Sequence, residues 1–252
     1  PVYLGGRVQR GRLDGPLMLK GSGDPSLNVE RLWLLLQRVR QRGVQRIEGD
    51  IVLDRSAFEA SPVDPAEFDG EPLRPYNVQP DALMINFKTV ALRLVPDAAA
   101  GVATVALEPP LAGVTVTRSV PMSGNGCGNW RLALRGNFDD ATQLRLQGQY
   151  GGGCGDLTWL LAYPDPASYA ARAIEGRWRE GGGTIAGRVR EGRVPDGATP
   201  TFEHTSPPLA EVVRDINKFS NNVIAQQLFL TLGLTQRGSG SRAAAREVVT
   251  QW

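Results

Sequence analysis

The chain is short of the residue types that bind metals. Its 252 residues include only two cysteines and one histidine, and the cysteine spacing matches no common zinc pattern. The formal net charge is only +2, which excludes a strong electrostatic attraction to nucleic acid or to an anionic membrane. No segment approaches the ~20 consecutive apolar residues of a membrane-spanning helix. We therefore expect no metal, no cofactor, no nucleic-acid partner and no transmembrane segment.

Glycine and proline are plentiful instead, with 30 and 18 residues, and they indicate many turns and short strands. Five of the prolines fall within residues 59–81 and predict a long loop there. The loop has an acidic cluster, which consists of Asp64, Glu67, Asp69 and Glu71. A calcium-binding loop alternates its oxygen ligands around a glycine and ends in a carboxylate. The cluster lacks that register, so we interpret it as a solvated loop, with a metal site as the alternative.

Two segments show the same order of strand, helix and strand. The first helix is predicted to start at an N-cap, Ser26, and to end at Gly43. Units of this kind are typical of an α/β domain. The predicted elements are the strand 17–19, the helix 27–42 and the strand 47–53 in the first segment, and the strand 157–163, the helix 166–179 and the strand 184–190 in the second.

Between these segments, from Met84 to about Gly148, apolar residues recur at a period of two. This spacing predicts half-buried strands, and the turns between them predict a small all-β module. The alternating segments begin at Val90, Val102, Val114, Trp130 and Leu144.

Both cysteines, Cys127 and Cys154, lie near the last two of these strands, with no histidine nearby. We predict that they form a disulfide, which indicates an oxidising compartment. Closing a loop of about 28 residues stabilises a fold by roughly 3–4 kcal/mol in the chain-entropy model. Two free thiols in a cytoplasmic protein are the alternative.

These patterns together predict a multidomain α+β protein. Residues 1–81 and 157–200 form an α/β domain, residues 82–156 form the inserted all-β module, and residues 201–252 form a helical segment. The chain begins at Pro1 in strand-like sequence and ends at Trp252 within an apparent helix. We expect it to be an internal piece of a longer protein.

The helical segment contains the polar stretch Asn-Lys-Phe-Ser-Asn-Asn at residues 217–222. Apolar residues recur at helical spacing on both sides of it, which predicts a helix over 207–216 and another over 223–232 that Gly233 closes. Serine and asparagine favour local hydrogen bonds over helix interiors. We therefore expect the helix to break at this stretch.

The break would hold the Ser220 hydroxyl and the Asn222 amide at a fixed position between two buried helices. A fixed hydroxyl and amide are suitable groups for a functional site. The alternative is that both residues only cap the second helix, because short motifs need structural context.

Five short motifs occur in order along the chain. They are Lys-Gly-Ser-Gly-Asp-Pro-Ser-Leu from Lys20, Gly-Asp-Ile-Val-Leu-Asp-Arg-Ser-Ala-Phe from Gly49, Pro75-Tyr76 with Asn86 beyond it, His-Thr-Ser-Pro-Pro-Leu from His204, and Asn-Lys-Phe-Ser-Asn-Asn-Val-Ile-Ala from Asn217. In these motifs the chain resembles the class C penicillin-binding proteins, the D-alanyl-D-alanine carboxypeptidase/endopeptidase family of the penicillin-binding protein 4 type. The resemblance implies accessory domains inserted within a serine penicillin-recognising domain of the β-lactamase and transpeptidase type, to which the helical segment belongs.

The chemistry of that family uses three motifs, and this chain contains one of them. Ser-x-x-Lys supplies the nucleophile and its base, and Lys-Thr-Gly binds the substrate carboxylate. Neither occurs in this sequence, and the nearest match, Lys88-Thr89-Val90, lacks the glycine. The resemblance implies that the missing motifs lie upstream and downstream of this chain.

By the same resemblance, Ser220 and Asn222 form the middle motif, Ser-x-Asn, and are the catalytic residues of this chain. A hydroxyl both accepts and donates, so Ser220 can relay a proton between the base and the leaving nitrogen. Asn222 carries a donor and an acceptor on one planar group, which suits binding of a peptide-like bond in the substrate. Lys218 would raise the local positive potential, and the single histidine, His204, is expected outside the site.

The resemblance implies a periplasmic, serine-type enzyme that cleaves D-Ala-D-Ala, or the D-Ala crosslink, of peptidoglycan stem peptides through an acyl-serine and that binds β-lactams. This chain alone lacks the nucleophile, so we expect it to be inactive by itself. A catalytically silent binding or scaffold module of the cell wall is the alternative. The sequence does not define the oligomeric state, and a homodimer is compatible with it.

Overall fold

The computed structural model of the protein describes residues 1–60, 63–124 and 126–252. These residues form four β-sheets, six α-helices and three short 3-10 turns. The strands are β1 (Val2–Leu4), β2 (Val8–Gln9), β3 (Arg12–Leu13), β4 (Leu17–Lys20), β5 (Arg46–Ile47), β6 (Ile51–Asp54), β7 (Thr89–Asp97), β8 (Val102–Glu108), β9 (Thr115–Val116), β10 (Ser119–Ser123), β11 (Leu134–Asn137), β12 (Gln143–Gly148), β13 (Tyr150–Gly151), β14 (Leu157–Ala162), β15 (Thr184–Ile185) and β16 (Val189–Glu191). The helices are α1 (Val29–Gln41), α2 (Trp130–Ala133), α3 (Tyr169–Glu180), α4 (Leu209–Phe219), α5 (Asn222–Arg237) and α6 (Arg242–Thr250), and the 3-10 turns are Pro75–Asn77, Asn86–Lys88 and Gly152–Cys154.

Three long strands of the α/β part are each interrupted at a glycine. Each consists of two consecutive segments, β3 and β4, β5 and β6, or β15 and β16, separated at Gly15, Gly49 and Gly187 respectively. The first segments pair in parallel in the order β15-β5-β3, and the second segments pair in parallel in another sheet in the order β4-β6-β16. A Cβ atom on Gly49 would lie 2.8 Å from the carbonyl carbon of Gly15, and one on Gly187 would lie 2.6 Å from the carbonyl oxygen of Gly49. The backbones approach too closely for a side chain. The predicted continuous strands 47–53 and 184–190 each form two short strands, because the chain passes from one sheet to the other at the glycine.

Helices α1 and α3 contact each other, and α3 also contacts β16. The N-cap of α1 is Asn28, whose Oδ1 accepts a hydrogen bond from the backbone N–H of Arg31 at 2.9 Å, so the prediction of Ser26 was wrong. The backbone N–H of Ser26 donates to the Asp24 carboxylate at 2.7 Å, and Ser26 therefore belongs to the preceding turn. The buried residues of α1 recur at helical spacing and form one apolar stripe, which consists of Leu32, Leu35, Leu36 and Val39.

The inserted part contains two further sheets. One has five strands in the order β13-β10-β8-β7-β14, and the other has three in the order β11-β12-β9. The predicted alternation is confirmed in β7, where Leu92 and Leu94 are fully buried and Arg93 between them is exposed. The all-β character of this region therefore follows from its period-two sequence.

We expected β14 in the second α/β segment, but its hydrogen bonds lie in the inserted sheet. It pairs antiparallel with β7 along its whole length, from Leu157 opposite Leu94 to Ala162 opposite Thr89. The two flanking segments of the chain thus contribute unequally to the parallel sheet. A short apolar run specifies a strand but does not specify its partner.

The segment that begins at Trp130 was predicted as a strand, and this prediction was wrong. Residues Trp130–Ala133 form the short helix α2, and β11 begins at Leu134. The indole of Trp130 packs edge-on against that of Trp159, with the ring centroids 5.5 Å apart, while Leu132 is exposed. The apparent alternation therefore arises from one aromatic contact and one solvent-exposed leucine.

The two cysteines form the predicted disulfide. Cys127 precedes α2, and Cys154 lies in the 3-10 turn that follows β13. The bond therefore closes a loop that contains α2, β11, β12 and β13.

The C-terminal residues form the helices α4, α5 and α6. We predicted that Gly233 closes the second of these, but α5 continues to Arg237 and ends at Gly238, which has φ +73°. Gly233 lies where α6 packs against α5, and a Cβ atom there would be 2.8 Å from the backbone nitrogen of Ala245. Gly233 is thus required for helix packing and not for helix termination. Across the described ranges, no helix is long and apolar enough to cross a membrane.

Candidate functional site

The predicted helix break lies between α4 and α5. Helix α4 ends at Phe219, and Ser220 follows in the left-handed conformation, with φ +50° and ψ +45°. The backbone N–H of Ser220 donates to the carbonyl oxygen of Ile216. A left-handed residue with a side chain costs roughly 1–2 kcal/mol. Strain of this kind is concentrated at functional sites, where the surrounding structure holds it in place.

The N-cap of α5 is Asn221, the residue between the two candidates. Its Oδ1 accepts a hydrogen bond from the backbone N–H of Ile224 at 3.0 Å. Ser220 and Asn222 are both exposed, and the hydrogen bonds among the described residues involve neither the Ser220 hydroxyl nor the Asn222 side-chain amide. The two candidate groups therefore flank the cap and stay accessible to another molecule.

Helix α4 presents an apolar surface to solvent, whereas we expected both helices to be buried. Val212 is buried, but Leu209 is 63% exposed and Phe219 is 67% exposed. Lys218 lies beside this surface, with its Nζ 5.2 Å from the centroid of the Phe219 ring. The Ser220 turn therefore joins a well-buried helix, α5, to an amphipathic helix with an uncovered face.

Sequence reasoning missed the residue that fixes α5 in place. Gln227 is fully buried, and its side-chain oxygen accepts a hydrogen bond from the backbone N–H of Asp81 at 3.0 Å. Its side-chain nitrogen donates to the backbone carbonyl of Asp81. These bonds satisfy both ends of a buried amide and hold α5 against the preceding loop. The sequence contains only a weak signal for this role, because Gln227 is preceded by a second glutamine, Gln226, in the same apolar helix.

The 3-10 turn Pro75–Asn77 also packs against α5. The Tyr76 hydroxyl donates to the Asp69 carboxylate at 2.7 Å, and this hydrogen bond raises the pKa of Tyr76. The side-chain amide of Asn77 donates to the same carboxylate at 2.8 Å. Asp69 of the acidic cluster is therefore held by protein donors. Among the residues that the structure describes, no group of three or more potential metal ligands was found.

His204 lies beside the N-terminal strands and not at the helix break. It lines a small cavity together with Val2, Leu19 and Asp24. Burial lowers the pKa of His204, and its Nε2 is buried without a hydrogen-bond partner in the described part of the chain. The structure does not bring His204 together with Ser220.

The fold is that of a penicillin-binding protein. Over 99% of this chain and 56% of the other, it matches the crystal structure of penicillin-binding protein 4 (dacB) from Haemophilus influenzae with a TM-score of 0.74 and 22% sequence identity. A structure of the same protein complexed with a novel β-lactam gives a TM-score of 0.68 and 22% identity over 99% of this chain and 55% of that one. These matches confirm the predicted multidomain α+β fold.

The sequence comparisons identify the family. The sequence model of the D-Ala-D-Ala carboxypeptidase 3 (S13) family matches residues 1–252, and the chain belongs to this family. It is 25% identical over 224 residues to the D-alanyl-D-alanine carboxypeptidase DacB of Haemophilus influenzae, covering 89% of this chain and 47% of that protein. It is 27% identical over 244 residues to a D-alanyl-D-alanine carboxypeptidase of an Actinomadura species, covering 89% of this chain and 43% of that protein. The chain spans about half the length of these relatives, and the family predicted from its motifs is confirmed.

Proposed function

We propose that this chain is part of a serine-type D-Ala-D-Ala carboxypeptidase/endopeptidase that acts on peptidoglycan stem peptides through an acyl-serine. Membership of the D-Ala-D-Ala carboxypeptidase family supports the substrate class. The observation that carries the proposal is the division of roles at the helix break. Asn221 caps α5, while the Ser220 hydroxyl and the Asn222 amide on either side of it stay exposed.

Ser220 acts as a proton relay in this proposal. Acyl transfer from a peptide to a serine requires a proton on the departing amide nitrogen. A hydroxyl accepts one proton while it donates another, so Ser220 can pass a proton from the base to the leaving group. Asn222, in the first turn of α5, donates to a substrate carbonyl and accepts from a substrate N–H. Together the two side chains orient the scissile region and move the proton.

The nucleophile of the proposed reaction comes from outside these 252 residues, since Ser-x-x-Lys does not occur among them. Ser220 alone is a weak nucleophile at its free pKa. The 252-residue chain is therefore expected to keep its unmodified mass after incubation with penicillin, as measured by intact-protein mass spectrometry. A covalent adduct on Ser220 would overturn its assignment as a relay.

The decisive experiment measures acylation by a fluorescent penicillin. It uses the intact protein, which is the full-length protein that includes the nucleophile in addition to these 252 residues. A β-lactam is a suitable probe, because the similar Haemophilus influenzae protein has been crystallised with one. Ser220→Ala is expected to slow acylation by roughly 10²–10⁴, the usual contribution of a positioned acid or base. Asn222→Ala removes a hydrogen bond to the substrate and is expected to slow it about 5- to 150-fold.

Asn217→Ala is the matched control, because Asn217 is also an exposed amide but lies within α4. It should acylate at the rate of the unsubstituted protein. If Ser220→Ala and Asn222→Ala are acylated at that same rate, the catalytic roles of both residues are refuted. Failure of the unsubstituted intact protein to acylate at all would favour a silent cell-wall module.

We also propose that the protein is exported and works in the periplasm. The disulfide between Cys127 and Cys154 supports this location, because structural disulfides form and persist in oxidising compartments. Peptide mapping of exported protein without reductant should recover the two cysteine peptides linked. Free, alkylatable thiols in that material would contradict the location.

A further inference from the structure

A large cavity opens at the carboxyl ends of the parallel strands. Its volume is about 1160 Å³, slightly above the range of about 300–1,000 Å³ for small-molecule sites. Arg55 follows β6, Glu191 ends β16, and both line the cavity together with Phe138 from the inserted part and Leu230 from α5. In open α/β sheets, small ligands bind at this edge of the strands. The cavity is thus placed where the fold favours a binding site.

Three charged side chains lie together on the wall of this cavity. Asp81 and Lys88 are buried, and the Nζ of Lys88 is 2.8 Å from the Oδ2 of Asp81. The Nη1 of Arg55 is 3.4 Å from the same oxygen. Among the side chains of the lining that are little exposed, these two cations and one anion leave a surplus of one positive charge. The other charged residues of the lining, Glu59, Asp139, Glu191 and Arg193, are exposed to solvent. Arg55 also contacts Glu191 at 3.1 Å, but the Glu191 side chain is 67% exposed and its charge is screened by water.

Arg55 retains capacity for another hydrogen-bond acceptor. Its contacts with Asp81, Glu191 and the carbonyl oxygen of Ala167 range from 3.1 to 3.4 Å. Charge-assisted hydrogen bonds to arginine usually measure about 2.7–2.9 Å. Its Nε is buried and has no partner among the described residues. A guanidinium with five donors is therefore held only loosely by the protein itself.

The backbone that carries Lys88 is strained. Asn86, Phe87 and Lys88 are three consecutive left-handed residues, with φ of 44°, 52° and 49°. This conformation is unfavourable for any residue with a side chain, and such strain is concentrated at active sites and ligand-binding segments. The Lys88 side chain is only 10% exposed, although lysine is rarely buried. The strained turn therefore places a costly charge on the cavity wall.

The remainder of the wall is largely apolar. The apolar and aromatic side chains that line it include Phe58, Leu73, Val78, Phe138, Tyr163 and Leu230. One surplus cation beside an apolar wall is complementary to a monoanion with an apolar body, whereas a dianion would leave an uncompensated negative charge. We propose that this cavity binds a small organic molecule that has an apolar body and a single carboxylate, with the carboxylate held by Arg55 and Lys88.

Isothermal titration calorimetry of the intact protein tests this assignment with octanoate as the probe and octanol as its uncharged counterpart. Octanoate is expected to bind saturably, with an affinity at least about tenfold higher than that of octanol, because its carboxylate adds charge-assisted hydrogen bonds. Octyl phosphate, a dianion, should bind more weakly than octanoate. Equal affinities for octanoate and octanol, tighter binding of octyl phosphate, or no saturable binding of octanoate would each overturn the proposal.

Arg55→Met locates the site and preserves the fold, since Lys88 still neutralises the buried Asp81. This substitution is expected to weaken octanoate binding about 10- to 100-fold while octanol binding changes by less than about twofold. Arg193→Met is the matched control, because Arg193 lines the same cavity but is exposed. Its screened charge should affect octanoate by less than about threefold. Equal losses in the two variants, or unchanged octanoate binding in Arg55→Met, would refute the role of Arg55.

Discussion

Asn221→Ala is expected to destabilise the protein, whereas substitution of either neighbour is not. Asn221 is the N-cap of α5 through the hydrogen bond that it accepts from Ile224 at 3.0 Å, and loss of such a cap costs about 1 kcal/mol. Ser220→Ala and Asn222→Ala remove exposed groups outside any hydrogen bond of the described residues, so each should change the free energy of unfolding by less than about 0.5 kcal/mol. In a chain of this size, about 1 kcal/mol corresponds to about 2–4 °C in melting temperature.

Ser220→Gly tests the left-handed geometry of the turn, because its expected effect on the free energy of unfolding has the opposite sign to that of Asn221→Ala. Glycine relieves the left-handed strain at φ +50°, roughly 1–2 kcal/mol, but it also gains about 0.4–1 kcal/mol of freedom in the unfolded chain. The expected net effect is a stabilisation of about 0–1.5 kcal/mol.

Urea titrations followed by circular dichroism, together with thermal melts, measure all four variants at the Ser220 turn. Ser220→Gly is expected to be at least as stable as the unsubstituted protein. Ser220→Ala and Asn222→Ala should be about as stable as it, and Asn221→Ala should be less stable. A loss in Ser220→Ala or Asn222→Ala as large as that in Asn221→Ala would show that these residues cap the helix, and it would refute the division of roles at the turn.

Gly49→Ala is expected to destabilise the protein by about 1–3 kcal/mol, because its Cβ would lie 2.8 Å from the backbone of the neighbouring strand. Gly124→Ala, with open space around it, should be neutral in the same urea titration, and equal midpoints for the two variants would contradict the close approach. Reduction of the disulfide between Cys127 and Cys154 should destabilise the inserted part by roughly 3–4 kcal/mol, and melts that are unchanged by reductant would argue against a stabilising bond. Burial lowers the pKa of His204, so the unfolded chain binds the proton more readily and stability should fall as the pH drops through the ordinary value of about 6.5. His204→Gln should reduce the change in the urea midpoint between about pH 7 and about pH 5. If the midpoint of this variant changes with pH as much as that of the unsubstituted protein, other groups cause the dependence.

The fold could be predicted from sequence wherever a periodic pattern determines the element. The alternating residues of β7 and the helical stripe of α1 are of this kind, because each pattern fits one backbone geometry. The partner of β14 could not be predicted, because a short apolar run specifies a strand but not the strand beside it. In the structure, Trp159 of β14 packs against the aromatic rings of Trp130 and Phe138 in the inserted part. A usable signal was overlooked in the three interrupted strands, which share an apolar residue two positions before and two positions after a glycine, as Leu13 and Leu17 do around Gly15.

The candidate site could be located from sequence, but its internal organisation could not. The polar composition around Ser220 predicts the helix break correctly. Which of three successive polar residues caps α5 depends on the left-handed turn, which makes Asn221 the N-cap. Gly233 shows the same limit, because a glycine that ends a helix and one that admits a neighbouring helix are alike in local sequence.

The interrupted parallel sheet imposes an order of events during synthesis. Its strand β6 lies between β4 and β16, and β16 is made only after the whole inserted part. At typical rates of chain elongation, β6 waits roughly 7–27 s for this partner, with the edge formed by Ile51, Val52 and Leu53 unpaired. The inserted five-stranded sheet is complete once β14 has emerged, so we expect it to become resistant to protease on stalled nascent chains before the sheet that surrounds it in sequence. An exposed apolar edge is prone to pair with other chains, and the nascent protein is therefore most vulnerable to aggregation while its inserted part is already folded.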